Sequence, residues 1–331
     1  MAVDFSLSAA AFGIGVVVGP TGMGGGALMT PVLVLLFNVP PLTAVSSDLV
    51  ASAVMKPFGS FVHLRHGTVN LRVAGWLVAG SVPSAFAGVL VLRMLGDGEQ
   101  IQSVIKTALG VALLVTALGL TVRAYIRLVE RARKRDGGAA PLPAGPPVVS
   151  VRPLPTVLLG AAGGLLVGLT SVGSGSLIII GLMLMYPGLK ASQLVGTDLV
   201  QAVPLVISAA IGHALFGDLD LKLTTPLLVG SIPGVWIGAH LSVRLRGGFV
   251  RRALAFVLLA SAVKLLGLGN RETGLVLLGV LLIAPPLWMV IRRRHGHPAL
   301  ASSRGAVKPP AADALRDGRL QLPATEGADE A

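Results

Sequence analysis

Long apolar segments follow one another along the chain from residue 7 to residue 291, and few charged residues interrupt them. After the first segment, they cover residues 44–63, 73–92, 104–122, 154–187, 191–216, 223–243, 253–269 and 274–291. A helix needs about 20 apolar residues to cross about 30 Å of hydrocarbon. Most of the segments have about that length. The pattern predicts an all-α polytopic membrane protein.

The two halves of the chain resemble each other at a nearly constant offset. The matching pairs are SSDLV (46–50) with GTDLV (196–200), His63 with His213, GSVPSAFAG (80–88) with GSIPGVWIG (230–238), and TGMGGGAL (21–28) with TSVGSGSL (170–177). The first three pairs are 150 residues apart and the last is 149 apart. Such a constant register indicates a duplicated membrane unit.

Basic loops predict how each half is oriented, because cytoplasmic loops carry an excess of Lys and Arg. The loop after residues 44–63 carries Arg65 and Arg72, whereas the corresponding loop of the second half carries Asp218 and Asp220. The halves are therefore expected to run in opposite directions, as an inverted-topology repeat. This threading places the N-terminus outside and the C-terminus in the cytoplasm of a bacterial-type cell membrane.

Composition supports the membrane interpretation and narrows the partners. Only 13% of the residues are charged, against about 25% in soluble domains. Half of the net charge of +12 comes from clusters at 127–136 and 291–297, which flank apolar segments. Such clusters are typical of membrane flanks, so we expect the lipid bilayer as a partner and no nucleic acid. The chain has no cysteine, which excludes thiolate metal sites, and no cofactor is expected.

The expected organisation has five parts. They are transmembrane repeat 1 (1–128), a basic and Pro/Gly-rich cytoplasmic linker (129–155), transmembrane repeat 2 (156–270), a final transmembrane helix (271–292) and a disordered cytoplasmic tail (293–331). A homo-oligomer is compatible with this organisation.

Two of the apolar segments, 7–37 and 154–187, are interrupted by Gly and Ser. Split at the interruption, each arm has about 15 residues and would be roughly 22 Å long, which is short of the hydrocarbon core. The interruptions therefore predict two re-entrant hairpins of half-helices whose tips lie near the bilayer midplane, with about seven further transmembrane helices. Two thin, tilted full spans are the alternative.

Both interruptions could bind a small anion through free backbone N–H groups and the positive ends of half-helices. No Gly-Lys-Ser/Thr follows either of them, so a nucleotide-binding loop is excluded. Glycine-mediated helix packing is the alternative. The candidate substrate-binding residues are Thr21, Gly22, Gly24, Gly25, Gly26, Thr170, Ser171, Gly173, Ser174 and Gly175.

Charged residues inside membrane segments are costly and usually functional. Lys56 is a further candidate for substrate binding, and it breaks the repeat symmetry, since Val206 is its counterpart. Asp48 and Asp198 occupy equivalent positions and could couple transport to a proton or Na⁺, together with hydroxyls at Ser47 and Thr197. Alternatively, both aspartates cap helix N-termini.

Two histidines also occupy equivalent positions. His63 and His213 lie close to predicted membrane boundaries. A hydrogen bond to a backbone carbonyl is the simpler interpretation, and proton handling is the alternative. Two histidines so far apart in sequence, without cysteine, do not indicate a metal site.

Taken together, these motifs resemble those of the TauE/SafE family, the sulfite exporter family. They are a GxGGG stretch at 22–26 followed by LxxP at 28–31, an AV-x-S-x-L-V segment at 44–50, a G-x-x-x-H-x-x-x-G-x-V-N stretch at 59–70 and a GS-x-P helix. The resemblance covers about residues 8–270. It implies a multi-pass carrier of small anions such as sulfite, sulfonates or small organic acids.

The resulting hypothesis is a secondary transporter, a permease for a small anion, and not an enzyme. A passive anion channel is the first alternative, and a membrane-embedded lipid-modifying enzyme is the second. An enzyme would require a nucleophile–base pair or a metal cluster, and the sequence offers neither pattern.

Overall fold

Helices make up the regular structure of the chain. The computed structural model describes residues 4–19, 25–94, 96, 98–135, 150–189, 191–216, 219–241 and 247–294, and these ranges contain eleven helices and no strand. The helices are α1 (Phe5–Val18), α2 (Gly26–Leu36), α3 (Pro41–Arg65), α4 (Leu71–Met94), α5 (Glu99–Arg135), α6 (Pro153–Thr170), α7 (Leu177–Met185), α8 (Ala191–Phe216), α9 (Leu221–Leu241), α10 (Gly247–Leu265) and α11 (Asn270–Arg294). The all-α prediction is confirmed.

Five helices of the described ranges are long and apolar enough to cross a membrane. These spans are Leu71–Met94, Glu99–Ile126, Pro153–Thr170, Ser192–Phe216 and Asn270–Arg293. Many large apolar side chains on the helices are exposed, such as Trp236 at 66% and Leu158 at 60%. In lipid these side chains face hydrocarbon, so their exposure agrees with a multi-pass membrane protein.

The helix breaks occur at the Gly/Ser interruptions. The first lies between α1 and α2, and the second between α6 and α7. At the second break Ser171 ends α6 in the left-handed conformation, with a φ of 59°, and Gly173 and Gly175 also have positive φ. Three arms, α1, α2 and α7, have 14, 11 and 9 residues, so they are at most about 21 Å long. The fourth, α6, has 18 residues.

Residues 129–155, interpreted as a linker, are partly helical. Helix α5 continues to Arg135 and α6 begins at Pro153. Proline suits the first turn of a helix, because its fixed φ fits the helix and its missing N–H has no partner there anyway. Residues 136–149 of the linker, and the tail from 295 onward, lie outside the described residues.

Glycines allow two pairs of helices to approach closely. Along α6, Gly160, Gly164 and Gly168 touch the backbone of α4, and along α9, Gly230, Gly234 and Gly238 touch the backbone of α1. These pairs, α4 with α6 and α1 with α9, are the most extensive helix contacts of the described chain. In lipid there is no hydrophobic driving force between helices, so their association depends on close van der Waals packing. Small residues allow that packing because they let two backbones approach each other. Each half thus packs its fourth helix on the first helix of the other half.

Helices α3 and α8 also pack together. A cluster of fully buried side chains from both halves surrounds them, including Leu49, Leu77, Val167 and Leu205. The chain divides into two compact units, residues 1–282 and residues 283–331. The helix pairs and the buried cluster belong to the first unit. The described part of the second unit is the C-terminal end of α11.

The close packing of α4 on α6 can be tested with two glycine variants of α4, one at the contact and one away from it as a control. A Cβ at Gly80 would lie 2.1 Å from the backbone oxygen of Val157, whereas a Cβ at Gly75 meets nothing within 4 Å. Gly80→Ala must therefore push α6 away, and we expect a lower melting temperature for the purified protein in detergent. Gly75→Ala should leave it equal or raise it, since Ala is favoured over Gly in a helix by about 1 kcal/mol. Equal melting temperatures would contradict the packing.

Candidate functional site

One face of α3 is polar and buried, although the helix lies in an apolar protein. Asp48, Ser52, Lys56 and Ser60 follow one another at intervals of four residues, so they lie on one side of the helix. All four are at most 6% exposed. Polar side chains on the inside of a membrane bundle usually line a substrate or ion pathway. Ser60 was not predicted from the sequence, although its spacing from Lys56 would have indicated it.

Neither aspartate caps a helix. Helix α3 begins at Pro41 and α8 begins at Ala191, so Asp48 and Asp198 both lie about two turns inside their helices. The capping alternative is therefore wrong. The Pro40–Pro41 pair explains why α3 begins earlier than expected, because proline favours the first helical turn.

The two helix breaks meet next to Asp48. A Cβ at Gly26 would lie 2.1 Å from the backbone oxygen of Ser171, so only glycine allows this approach. Asp48 Oδ2 accepts hydrogen bonds from Ser171 Oγ (2.6 Å) and from Thr30 Oγ1 (3.0 Å). Gly25 lies against the other carboxylate oxygen, since its added Cβ would be 3.3 Å from Asp48 Oδ1. Predicted residues from both breaks therefore share one buried cluster, while Thr21, Gly22 and Gly24 lie outside the described residues.

Lys56 reaches the second break directly. Its Nζ donates a hydrogen bond to Ser174 Oγ, and its ammonium group interacts electrostatically with Asp198 and Asp48. The backbone N–H groups of Ser174 and Gly175 make no backbone hydrogen bond within the described residues. The ammonium group of Lys56 and the Ser174 hydroxyl thus meet just before α7, next to two amides that have no backbone partner among the described residues.

Thr170 does not contribute its hydroxyl to this cluster. Thr170 Oγ1 donates to Leu166 O at 2.6 Å and accepts from Val172 N at 3.2 Å. These bonds close the end of α6. Gly173 also serves the turn, since its carbonyl accepts from the N–H groups of Ser176 and Leu177. Both predicted residues therefore shape the break.

Asp198 has different partners from Asp48. Its Oδ1 accepts from Gln201 Nε2 at 3.1 Å, and Gln201 Oε1 accepts from Ser81 Oγ at 3.2 Å. The carboxylate also interacts electrostatically with Lys56 and with the buried Arg123 of α5. Sequence reasoning missed Gln201, Arg123 and Thr30. Gln201 could have been found from its position one turn after Asp198, but nothing near Arg123 or Thr30 in sequence indicates their partners.

The hydroxyls of Ser47 and Thr197, which were expected to act together with the two aspartates, make no hydrogen bond to them in the described residues. Thr197 Oγ1 accepts from the backbone N–H of Asn70 at 2.9 Å, which ties α8 to the loop before α4. Ser47 Oγ is fully buried and has no hydrogen-bond partner in the part of the chain that the structure describes.

The two histidines have unequal surroundings. His213 is fully buried; its Nε2 donates to Gly168 O at 2.8 Å, and its Nδ1 lies 2.9 Å from Ser46 Oγ. His63 is half-buried and its Nδ1 lies 2.8 Å from Thr68 Oγ1. The bond to a backbone carbonyl predicted for these histidines is present at His213. Both of its ring nitrogens bind protein groups.

The polar cluster is closed to the surface, since Asp48, Lys56 and Asp198 are at most 6% exposed. An open cleft of about 530 Å³ lies nearby, between the α2–α3 loop and the start of α9. Thr43 of this cleft is one helical turn before Ser47 on α3. Within the described residues, no three His, Asp or Glu side chains come together as a metal site.

Comparison with known proteins identifies the family of the chain. The model of the sulfite exporter TauE/SafE family matches residues 7–265. The probable membrane transporter protein YjnA of Bacillus subtilis (strain 168) is 40% identical over 254 residues, which are 76% of this chain and 96% of YjnA. The probable membrane transporter protein YdhB of the same strain is 29% identical over 69% of this chain and 86% of YdhB. No solved structure matches the chain. The chain belongs to the TauE/SafE sulfite exporter family of membrane transporters.

Proposed function

We propose that the protein is a secondary transporter that moves a small anion across the cell membrane. The observation that carries the proposal is the meeting of two helix breaks around one buried lysine, Lys56. A buried ammonium group is expensive in a membrane protein and is kept where it works. Hydroxyls and free amides beside it are the groups that bind an oxyanion.

The substrate would bind at the second break. Lys56 Nζ and Ser174 Oγ are already in contact, and the amides of Ser174 and Gly175 have no backbone partner in the described residues. The positive end of the α7 dipole adds to the attraction. Because the cluster is closed, an anion has to be small, and the helices have to open for it to enter or leave.

The proposed topology is an inverted repeat with two re-entrant hairpins, N-terminus outside and C-terminus in the cytoplasm. The reciprocal pairing of α4 with α6 and of α1 with α9 supports it, because two such units related by a two-fold axis in the membrane plane exchange equivalent contacts. The shortness of α1, α2 and α7 supports the hairpins, whereas α6, with 18 residues, is long enough to span the membrane. In this arrangement the two breaks lie near the bilayer midplane.

The substrate class follows from the family and from the site. The family is named for sulfite export, and a site with one lysine, hydroxyls and amides suits a small oxyanion such as sulfite, a sulfonate or a small carboxylate. Coupling to a proton or Na⁺ is part of the proposal, because Asp48 and Asp198 lie beside the lysine and attract it electrostatically.

The experiment is transport by the full-length protein in liposomes. Sulfite, methanesulfonate, acetate and sulfate are offered with and without a pH gradient or a Na⁺ gradient. We expect protein-dependent uptake of at least one of the singly charged probes against its own concentration gradient. Flux that only follows the concentration gradient would mean a passive channel, and no flux of any probe would overturn the proposal.

A further inference from the structure

We propose that Asp48, and not its repeat counterpart Asp198, takes up one proton each time the transported anion binds. This inference rests on the proposed anion site, and it assigns the coupling ion and its residue. Four observations lead to it. They are an oxygen of Asp48 without a partner in the described residues, a different set of partners at Asp198, the charge balance of the cluster, and the hydrogen bond from Ser171, beside the proposed anion site, to Asp48.

Asp48 is fully buried, and its two oxygens differ. Oδ2 accepts two hydroxyl hydrogen bonds, from Thr30 and Ser171, while Oδ1 has no hydrogen-bond partner among the residues that the structure describes. A buried acceptor without a partner is unfavourable, and more so when it is charged. A proton on this carboxyl group removes the charge and leaves the two hydroxyl bonds in place. The structure therefore offers Asp48 a protonated state that is easily accommodated.

The surroundings of Oδ1 suit a proton better than a metal cation. A Cβ added at Gly25 would lie 3.2 Å from the methyl carbon of Met55, 3.3 Å from Asp48 Oδ1 and 3.9 Å from Ser52 Oγ, so a methyl group and a hydroxyl share the space beside Gly25 with this oxygen. A hard cation takes about six oxygen ligands, and an apolar methyl group occupies part of this space. A proton needs no such shell.

Asp198 is held in a different way. Gln201 donates to its Oδ1, Ser81 donates to Gln201, and the positively charged Arg123 acts on the same carboxylate. These groups stabilise the ionised form, because an amide N–H donor and a cation both favour the charged carboxylate. At the corresponding place in the first half, Ala51 replaces Gln201. The repeat symmetry is thus broken, because Asp198 has an amide donor and a nearby guanidinium group, whereas Asp48 has two hydroxyl donors and one oxygen with no hydrogen-bond partner among the described residues.

Charge balance links the proton to the anion. With all groups ionised, Lys56 and Arg123 offset Asp48 and Asp198, so the buried cluster is neutral. A singly charged anion adds one uncompensated negative charge, and an unpaired buried charge is strongly unfavourable. One proton on Asp48 restores neutrality. It also weakens the hold of Asp48 on the Ser171 hydroxyl, which lies beside the proposed anion site.

Other charged and titratable groups around Asp48 have defined positions. Lys56 is on its own helix, which also carries His63 and Arg65 in its last turn. Asp198 and His213 are on α8, and His213 is engaged by Ser46 and Gly168. On α5, which also packs on α3, Arg123 is buried and Lys106 is exposed. From α2 and the second break, hydroxyls face the carboxylate. On α9, the described titratable residues Lys222 and His240 are exposed at the two ends of the helix.

The test is calorimetric titration of the full-length protein in nanodiscs with methanesulfonate and acetate, which stay singly charged between about pH 6 and pH 8. Titrating in two buffers with different ionisation heats counts the protons taken up per anion. We expect close to one proton in the wild type at the upper pH. Linkage then weakens the affinity by up to about tenfold for each pH unit of increase.

Two matched variants assign the proton. Asp48→Asn is expected to bind with an affinity that no longer depends on pH and with no proton uptake, whereas Asp198→Glu, which keeps the negative charge that the charge balance requires, should keep both. The infrared C=O band of the carboxyl group that is protonated on anion binding should appear at the same frequency in the wild type and in Asp198→Glu, and a shifted band in Asp198→Glu would place the proton on residue 198 instead. Binding without proton uptake in the wild type, uptake that persists in Asp48→Asn, or affinity that requires Na⁺ would overturn the coupling alone. If the wild type binds neither probe, the proposed function fails as well. The wild-type proton count decides the matter even if Asp48→Asn does not fold.

Discussion

Lys56→Met is expected to abolish measurable anion uptake in liposomes. Methionine has a similar length and no charge, so it removes the ammonium group that contacts Ser174 and leaves the packing nearly intact. A hydrogen bond to a charged group contributes about 1.5–3 kcal/mol. Its loss corresponds to about 10- to 150-fold weaker binding of the anion. Initial uptake rates over a range of concentrations, together with calorimetric affinities, measure the effect.

Lys106→Met is the matched control, because Lys106 is exposed on α5. It should transport like the wild type. Removing Lys56 also leaves the carboxylates of Asp48 and Asp198 with less compensation, so Lys56→Met is expected to melt at a lower temperature. The double variant Lys56→Met with Asp48→Asn restores the charge balance and should regain stability without regaining uptake. Wild-type affinity in Lys56→Met would show that the anion binds elsewhere.

Gly26→Ala is expected to give the second large effect. The added methyl group would lie 2.1 Å from the Ser171 carbonyl oxygen, and that neighbour is backbone rather than a flexible side chain. The breaks must separate, which moves Ser171 away from Asp48 and displaces the second break from Lys56. Displacements of this size at a binding site commonly cost about 100-fold in activity. Uptake rates and the melting temperature together measure the change.

Gly13→Ala in α1 is the control for Gly26→Ala, since a Cβ at Gly13 meets nothing within 4 Å. It exchanges the same residue types on the other side of the same break. We expect Gly13→Ala to keep its uptake. Equal uptake by Gly26→Ala and Gly13→Ala would contradict the contact between the two breaks.

Much of the architecture could be predicted from the chain because membrane helices have a strong signal. The continuous apolar segments predicted α4, α5, α8 and α11 as spans, and the Gly/Ser interruptions predicted breaks where α1 and α6 end. Helix starts were less accurate, as at α3, where Pro41 begins the helix two turns before Asp48. The residues before Ala44 are prolines and mostly apolar residues, so the apolar pattern shows no sharp boundary from which the start of α3 could be predicted.

The site was predicted in part. The duplicated motifs indicated Asp48, Asp198 and both breaks as a group, and Lys56 was apparent as a charge inside an apolar segment. The partners of these residues were not predictable, since Thr30 and Arg123 reach the cluster from α2 and α5. The unlike roles of Thr170, which bonds within its own helix, and Ser171, which bonds Asp48, also required coordinates.

By itself, the amino-acid sequence determined that the protein is a helical membrane protein with two glycine-rich breaks and with the charged residues Asp48, Lys56 and Asp198 inside its apolar segments, and it predicted the internal repeat. The lipid environment is the reason, because a membrane helix must be apolar along its length, so that both the helices and the rare charged residues inside them are recognisable in the sequence. Only the tertiary structure decided that the breaks touch at Gly26 and Ser171 and that Lys56 donates a hydrogen bond to Ser174. It also decided that Asp48 and Asp198 have different partners. Most of those contacts, such as Gly26 with Ser171 and Lys56 with Ser174, join residues more than 100 positions apart, and their geometry depends on how the helices pack.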